Sequence, residues 1–174
     1  LFIQHGFRFS DRLNLLKPIA TVEKARMGMS ASRRRQVKLS TKNGLIIKQA
    51  ETPEEIDRLY LLLKQLYREK VRKPLPAKRF FHQFFRLASA ENCGMVLLAE
   101  YRGEIVGGIV SPYTPGRSCY EWYVCGLDRE YAADRIFPSV ALTWAAKGTA
   151  QIRAKTGQKR KGSNFPESKH QQYS

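Results

Sequence analysis

From Thr52 to Val124 the chain spells out a capped helix, a phenylalanine-rich helix and three strands in succession, an order that points to an α/β layout. Thr52 is placed to cap a helix start, Pro53 suits the first helical position, and Glu55 completes a Thr-x-x-Glu capping box. Ile56, Leu59, Tyr60, Leu63, Leu66 and Tyr67 then share one helical face. The helix is expected to run to about Val71 and to stop at Lys73-Pro74-Leu75-Pro76, because proline lacks the N–H and disfavours helical geometry before it. Phe80, Phe81, Phe84, Phe85, Leu87 and Ala88 predict a second buried helix from about Ala77 to Ser89. Met95 to Tyr101 and Glu104 to Ser111 flank an Arg102-Gly103 hairpin turn, and Ser118 to Cys125 reads as the third strand.

Outside this stretch the signals are shorter. Leu1 to Ile19 follows no strict period and is expected to hold a short strand or turn and then a helical turn. Ser30 or Ser32 can cap a basic helix carrying Arg33, Arg34, Val37 and Lys38, and Asn43-Gly44 precedes a strand through Leu45, Ile46 and Ile47. Phe137-Pro138-Ser139 opens a last helix through Val140, Leu142, Trp144 and Ala145. The 174 residues suit one domain, and no apolar run approaches the ~18 residues of a membrane span. Residues 1–156 are therefore expected to fold, and residues 157–174 to form a basic, disordered tail. A start at Leu1 rather than Met suggests a cut through a longer protein. Cys93, Cys119 and Cys125 form no C-x-x-C pair, so neither a disulfide framework nor a metal site is expected, and a reducing cytoplasm fits best.

Charge narrows the partners. A formal net charge of +16 draws in phosphates of RNA, anionic lipid or phosphorylated substrates. The cations cluster at Arg33, Arg34, Arg35 and Lys38, at Arg68, Lys70, Arg72 and Lys73, and after Lys147; any one cluster alone is more simply a solvated face. His5, His82 and His170 are scattered, and H-E-x-x-H, G-x-S-x-G and P-loop patterns are absent. Glu121, among Tyr120, Trp122 and Tyr123, is the candidate base, its plainer reading being the polar face of a strand. Gly107-Gly108 marks a bulge or a close approach, by a ligand or by the phenylalanine helix. Tyr120 and Tyr123 can line a substrate cleft or pack across strands. Arg33, Arg34 and Lys73 complete the candidate substrate-binding set with Gly107, Gly108, Tyr120 and Tyr123.

Arg33-Arg34-Arg35-Gln36, Asn43-Gly44-Leu45, Thr52-Pro53-Glu54-Glu55-Ile56, Lys73-Pro74-Leu75-Pro76, Phe80-Phe81 and Phe137-Pro138-Ser139, in that order, resemble the GNAT superfamily over roughly Ser30 to Ala146. The nearest likeness is to its FemABX and BioF2-like branch. The resemblance implies a mixed, mostly antiparallel sheet flanked by helices, with an acyl donor near a splayed strand pair. It implies an N-acyltransferase or aminoacyltransferase: acyl-CoA or aminoacyl-tRNA as donor, a small-molecule or peptidoglycan-precursor amine as acceptor, and tRNA as a partner for the basic surface. The chain departs from the superfamily in having no glycine between Arg129 and Phe137, where relatives carry a glycine-containing pyrophosphate loop, and in passing to Lys159-Arg160-Lys161 where relatives continue into strands. An incomplete C-terminal half, and so an inactive fragment, is expected on that ground. The competing expectation is a nucleic-acid-binding module that performs no chemistry.

Overall fold

A computed structural model describes residues 3–6, 8, 27–114 and 118–158. Helix α1 (Ala31–Lys42) starts at Ser30, whose Oγ accepts the Arg33 N–H at 3.3 Å. Strand β1 (Ile46–Gln49) follows. Helix α2 (Pro53–Leu66) carries the expected capping box: Thr52 Oγ1 accepts the Glu55 N–H at 3.4 Å, and Glu55 Oε2 accepts the Thr52 N–H at 3.3 Å. The helix does not simply continue to Val71. It widens into a π turn (Tyr67–Val71), closed by Arg72 in the left-handed region at φ 53°. Helix α3 (Lys78–Glu91), strands β2 (Gly94–Tyr101), β3 (Glu104–Thr114), β4 (Ser118–Cys119) and β5 (Tyr123–Gly126), and helix α4 (Pro138–Gln158) complete the order.

All described strand pairs are antiparallel: β1 with β2, β2 with β3, and both β4 and β5 with β3. Alternate residues of β2 serve opposite layers, as the period of a strand requires. Met95, Leu97 and Ala99 pack with Ile136, Leu142 and Ala146 of the α4 side, where α1 also lies. Val96 and Leu98 pack with Ile56, Leu59, Leu63 and Phe81 from α2 and α3. Burial on both faces is why Met95 to Ala99 reads as a continuous apolar run. The expected α/β architecture, an antiparallel sheet flanked by helices, is present.

The third strand departs from expectation. Tyr113 faces Cys119, yet Val110 faces Tyr123, so the two β3 residues between them oppose three on the other strand. That extra residue is a β-bulge, and it breaks the expected Ser118–Cys125 strand into β4 and β5. A second register shift leaves Val106 unmatched, since Glu100 faces Ile105 while Ala99 faces Gly107. Helix α4 reaches Gln158, two positions into the stretch expected as a tail. The rest of that tail lies outside the described residues, as does most of Leu1 to Ile19, where a short 3-10 turn (Ile3–His5) is described. No described helix is long and apolar enough to cross a membrane.

Candidate functional site

The bulge decides what the third strand presents. With one extra residue, the successive side chains Trp122 and Tyr123 both turn to α3: Trp122 lies 6.1 Å from Phe80 and 5.9 Å from Phe84 between ring centroids, and Tyr123 lies 5.1 Å from Phe81. Glu121 is thereby separated from these rings and paired with Lys147 of α4, Oε1 to Nζ 3.8 Å. The expected aromatic surround of Glu121 is not what forms, because Trp122 and Tyr123 leave for the opposite layer. Tyr120 remains 54% exposed beside it.

Gly107 and Gly108 sit opposite Gly126 and Cys125, next to the Val106 bulge. A Cβ on Gly107 would stand 2.8 Å from the Cys125 carbonyl oxygen and 3.0 Å from Pro138 Cβ, and one on Gly108 would stand 2.4 Å from Leu59 Cδ1. Both glycines therefore serve close packing, against α2 and α4 rather than against the phenylalanine helix, and their side-chain faces are closed. Gly126 makes a third close approach, its missing Cβ lying 2.7 Å from the Ser139 nitrogen.

Between β5 and α4 the loop is tied down by side chains. Asn43 Nδ2 donates to the Asp134 carbonyl at 2.8 Å, Ser40 Oγ accepts the Phe137 N–H at 2.9 Å, and Asp128 Oδ1 accepts the Ser139 N–H at 3.2 Å. A carboxylate at a helix start is favourable in the field of the helix. It also means that the α4 start spends the Ser139 N–H on Asp128 and the Phe137 N–H on Ser40. The segment between Arg129 and Phe137 also holds no glycine, the residue that most readily lets backbone N–H groups turn toward a diphosphate.

Two concavities flank the π turn. One lies between the end of α2 and β5, lined by Leu62, Leu66, Glu69, Lys70, Cys125 and Gly126 among others. β5 forms the wall of that cleft, and among the described residues it pairs only with β3, leaving its second edge open. The other concavity holds Lys73 with Tyr67, and Tyr67 lies 6.2 Å from Tyr123 between ring centroids. The structure thus gathers Tyr123, Gly108 and Lys73 on the α2 and α3 side, while Gly107 faces Pro138 of α4. Arg33 and Arg34 stand on α1 in the opposite layer, where Arg34 Nη1 donates to the Met29 carbonyl at 2.6 Å, so they do not join Lys73.

Lys147 and Asp128 have no signal of their own in the sequence, since neither belongs to a local pattern. Two of the three thiols are poorly suited to nucleophilic work: burial pushes Cys125 up to about 12 and Cys119 up to about 11. Among the described residues no group of three or more His, Cys, Asp or Glu is placed to hold a metal ion.

A family model described as Acetyltransferase (GNAT) domain matches residues 27–150. Among solved structures, an acetyltransferase from Streptococcus agalactiae 2603 is similar at 16% identity and a TM-score of 0.41, over 66% of this chain and 68% of that one. Comparison with curated proteins gives no match.

Proposed function

This chain belongs to the acetyltransferase (GNAT) domain family and is a GNAT-like N-acyltransferase, and on that premise we propose that it moves an acyl group from acyl-CoA to an amine at the bulge between β4 and β5. GNAT acetyltransferases generally use acyl-CoA, and an acetyltransferase requires an amine acceptor. The bulge carries the reading for this chain, because it detaches Glu121 from the aromatic layer and leaves it at the surface beside Tyr120. When bound, the donor supplies an activated thioester carbonyl. Glu121 takes the proton that the acceptor nitrogen loses as the N–C bond forms and the C–S bond breaks, the sulfur leaving as the CoA thiolate, and Lys147 is the ion-pair neighbour of its carboxylate. The open edge of β5 offers backbone groups to an extended donor, and Tyr123 with the closed pair Gly107 and Gly108 keeps that edge in register.

The closed helix start at Ser139 fits a donor gripped by side chains rather than by a backbone nest, which is the observation favouring the FemABX and BioF2-like branch and an aminoacyl-tRNA donor as the second reading. The test presents radiolabelled acetyl-CoA, and separately charged tRNA, to a panel of lysine-containing peptides and peptidoglycan-precursor amines. Glu121→Gln is expected to keep the fold and to lower transfer by at least ~100-fold. Unchanged turnover removes Glu121 from the mechanism. No transfer from either donor, with RNA retention that falls steeply with salt, would favour a nucleic-acid-binding module instead.

A further inference from the structure

The π turn is the least expected feature of the chain, and what surrounds it is unusual in charge. Tyr67 accepts the Arg72 N–H across the widened turn at 2.7 Å, and Arg72 then adopts φ 53° and ψ 38° with no glycine to ease it. A left-handed non-glycine residue costs roughly 1–2 kcal/mol and persists only where its surroundings hold it. After the reversal Arg72 and Lys73 line one concavity with Lys64 and Arg68 of the preceding turns and with Tyr60 and Tyr67. Leu75 also lines it.

None of the residues lining this concavity is acidic. The one carboxylate of the turn, Glu69, pairs with Arg68 at 3.4 Å and lines the neighbouring cleft instead. Among the described ion pairs, Lys64, Arg72 and Lys73 have no carboxylate partner. Like charges drawn together in this way repel, and an anion among them relieves that repulsion. Tyr67 lines the same concavity, and burial, then the neighbouring Tyr123, raise its phenol above the ordinary value.

A second observation points the same way. At the start of α4 the Ser139 N–H is given to Asp128 and the preceding Phe137 N–H to Ser40, so these two groups are not open to a phosphate, whereas the cations of the basic pocket are exposed. The cleft walled by the open edge of β5, where the proposed reaction would seat the donor, is the transfer cleft of that reading. It shares the π turn with the basic pocket: Glu69 and Lys70 line the cleft, and Tyr67 packs near Tyr123 of β5. We infer that Lys64, Arg68, Arg72 and Lys73, which line one concavity with Tyr60 and Tyr67, form a subsite for a phosphate-bearing part of a substrate. The placement of this subsite beside the transfer cleft rests on the acyltransferase reading; its binding of phosphate does not.

The test measures equilibrium binding of inorganic pyrophosphate, acetyl-CoA and acetyl-pantetheine to the full chain. The variant Arg72→Gly with Lys73→Gln removes two charges while glycine accepts the left-handed backbone, so its melting temperature should not fall. Arg86→Gln with Lys42→Gln, two exposed cations elsewhere, matches the loss of charge. Pyrophosphate is expected to bind the unaltered chain and the matched control alike, and to bind the Arg72 and Lys73 variant at least about 10-fold more weakly. If acetyl-CoA weakens by the same factor while acetyl-pantetheine does not, the phosphate is the donor's. If pyrophosphate weakens and acetyl-CoA does not, it is the acceptor's. Pyrophosphate binding that is absent, or equal in the two double variants, overturns the subsite. Acetyl-CoA that fails to bind the unaltered chain, with pyrophosphate bound, counts against the acyl-CoA reading and leaves the subsite standing.

Discussion

Gly107 and Gly108 are neighbours on one strand, and their missing side chains face opposite layers. A Cβ on Gly107 meets backbone, the Cys125 carbonyl oxygen at 2.8 Å, whereas a Cβ on Gly108 meets the tip of a side chain, Leu59 Cδ1 at 2.4 Å. A side-chain tip yields by a rotamer change and a sheet backbone yields only by moving its ladder. Each alanine is therefore expected to cost about 1–3 kcal/mol, with Gly107→Ala the larger, in urea unfolding of the single variants. Equal melts for Gly107→Ala and the unaltered chain would contradict the close approach. The glycine pair announces such an approach in the sequence, but not its partners, since Leu59 and Pro138 arrive from elements distant along the chain. Glu121 was legible as a candidate on the same footing. Its neighbours were not, because one inserted residue in the strand exchanges Trp122 and Tyr123 for Lys147.

Helices were the more readable elements, because their start signals are local. Thr52, Pro53 and Glu55 fix the α2 start within four consecutive residues, and the resulting bonds also bring the Glu51 N–H to Glu55 Oε2 at 2.7 Å. Thr52→Ala should cost about 1 kcal/mol, while Thr52→Ser, which keeps the accepting oxygen, should stay within a few tenths; a thermal melt of the two variants separates them. A Thr52→Ala chain as stable as Thr52→Ser would mean that the hydroxyl does not carry the cap. The helix end was less readable. Apolar spacing through Leu63, Leu66 and Tyr67 continues smoothly into the π turn, and nothing in a pattern of period 3.6 marks the residue at which the hydrogen bonding widens. The break between β4 and β5 is illegible for the same reason: alternation identifies a strand, and a bulge is an error in register that appears only against the partner strand.

Across the whole molecule, the excess of cations was plain in the sequence, and the fold distributes it over separate layers. The cluster of Arg33 and Arg34 lies with α1 beside α4, and that of Arg68, Arg72 and Lys73 lies at the end of α2. Carboxylates are scarce, 15 against 31 lysines and arginines, and those on α2 are committed. His82, at 2.6 Å, and then Lys78, at 3.2 Å, hold the Asp57 carboxyl below its ordinary range, joining α2 to α3. The Glu54 backbone N–H and the Thr52 hydroxyl lower Glu54. Burial opposes the ionisation of Glu55, but the Glu51 N–H, Lys48 and the Thr52 N–H outweigh it and its value is lowered too. A carboxyl lowered in the folded state is more easily protonated in the unfolded chain. Its contribution is complete above the ordinary carboxylate values of about 3.9–4.3 and is lost as pH falls through the lowered folded values. Every proton taken up also adds to a charge that is already +16. The melting temperature should therefore fall as pH drops from about 4.5 to about 3, and Asp57→Asn should make that fall shallower by removing one of the linked groups. Raising salt at pH 3 should recover part of the loss, because screening weakens repulsion among exposed cations. An Asp57→Asn chain whose melting temperature tracks the unaltered one over this whole range would show that the bridge between α2 and α3 does not contribute to stability.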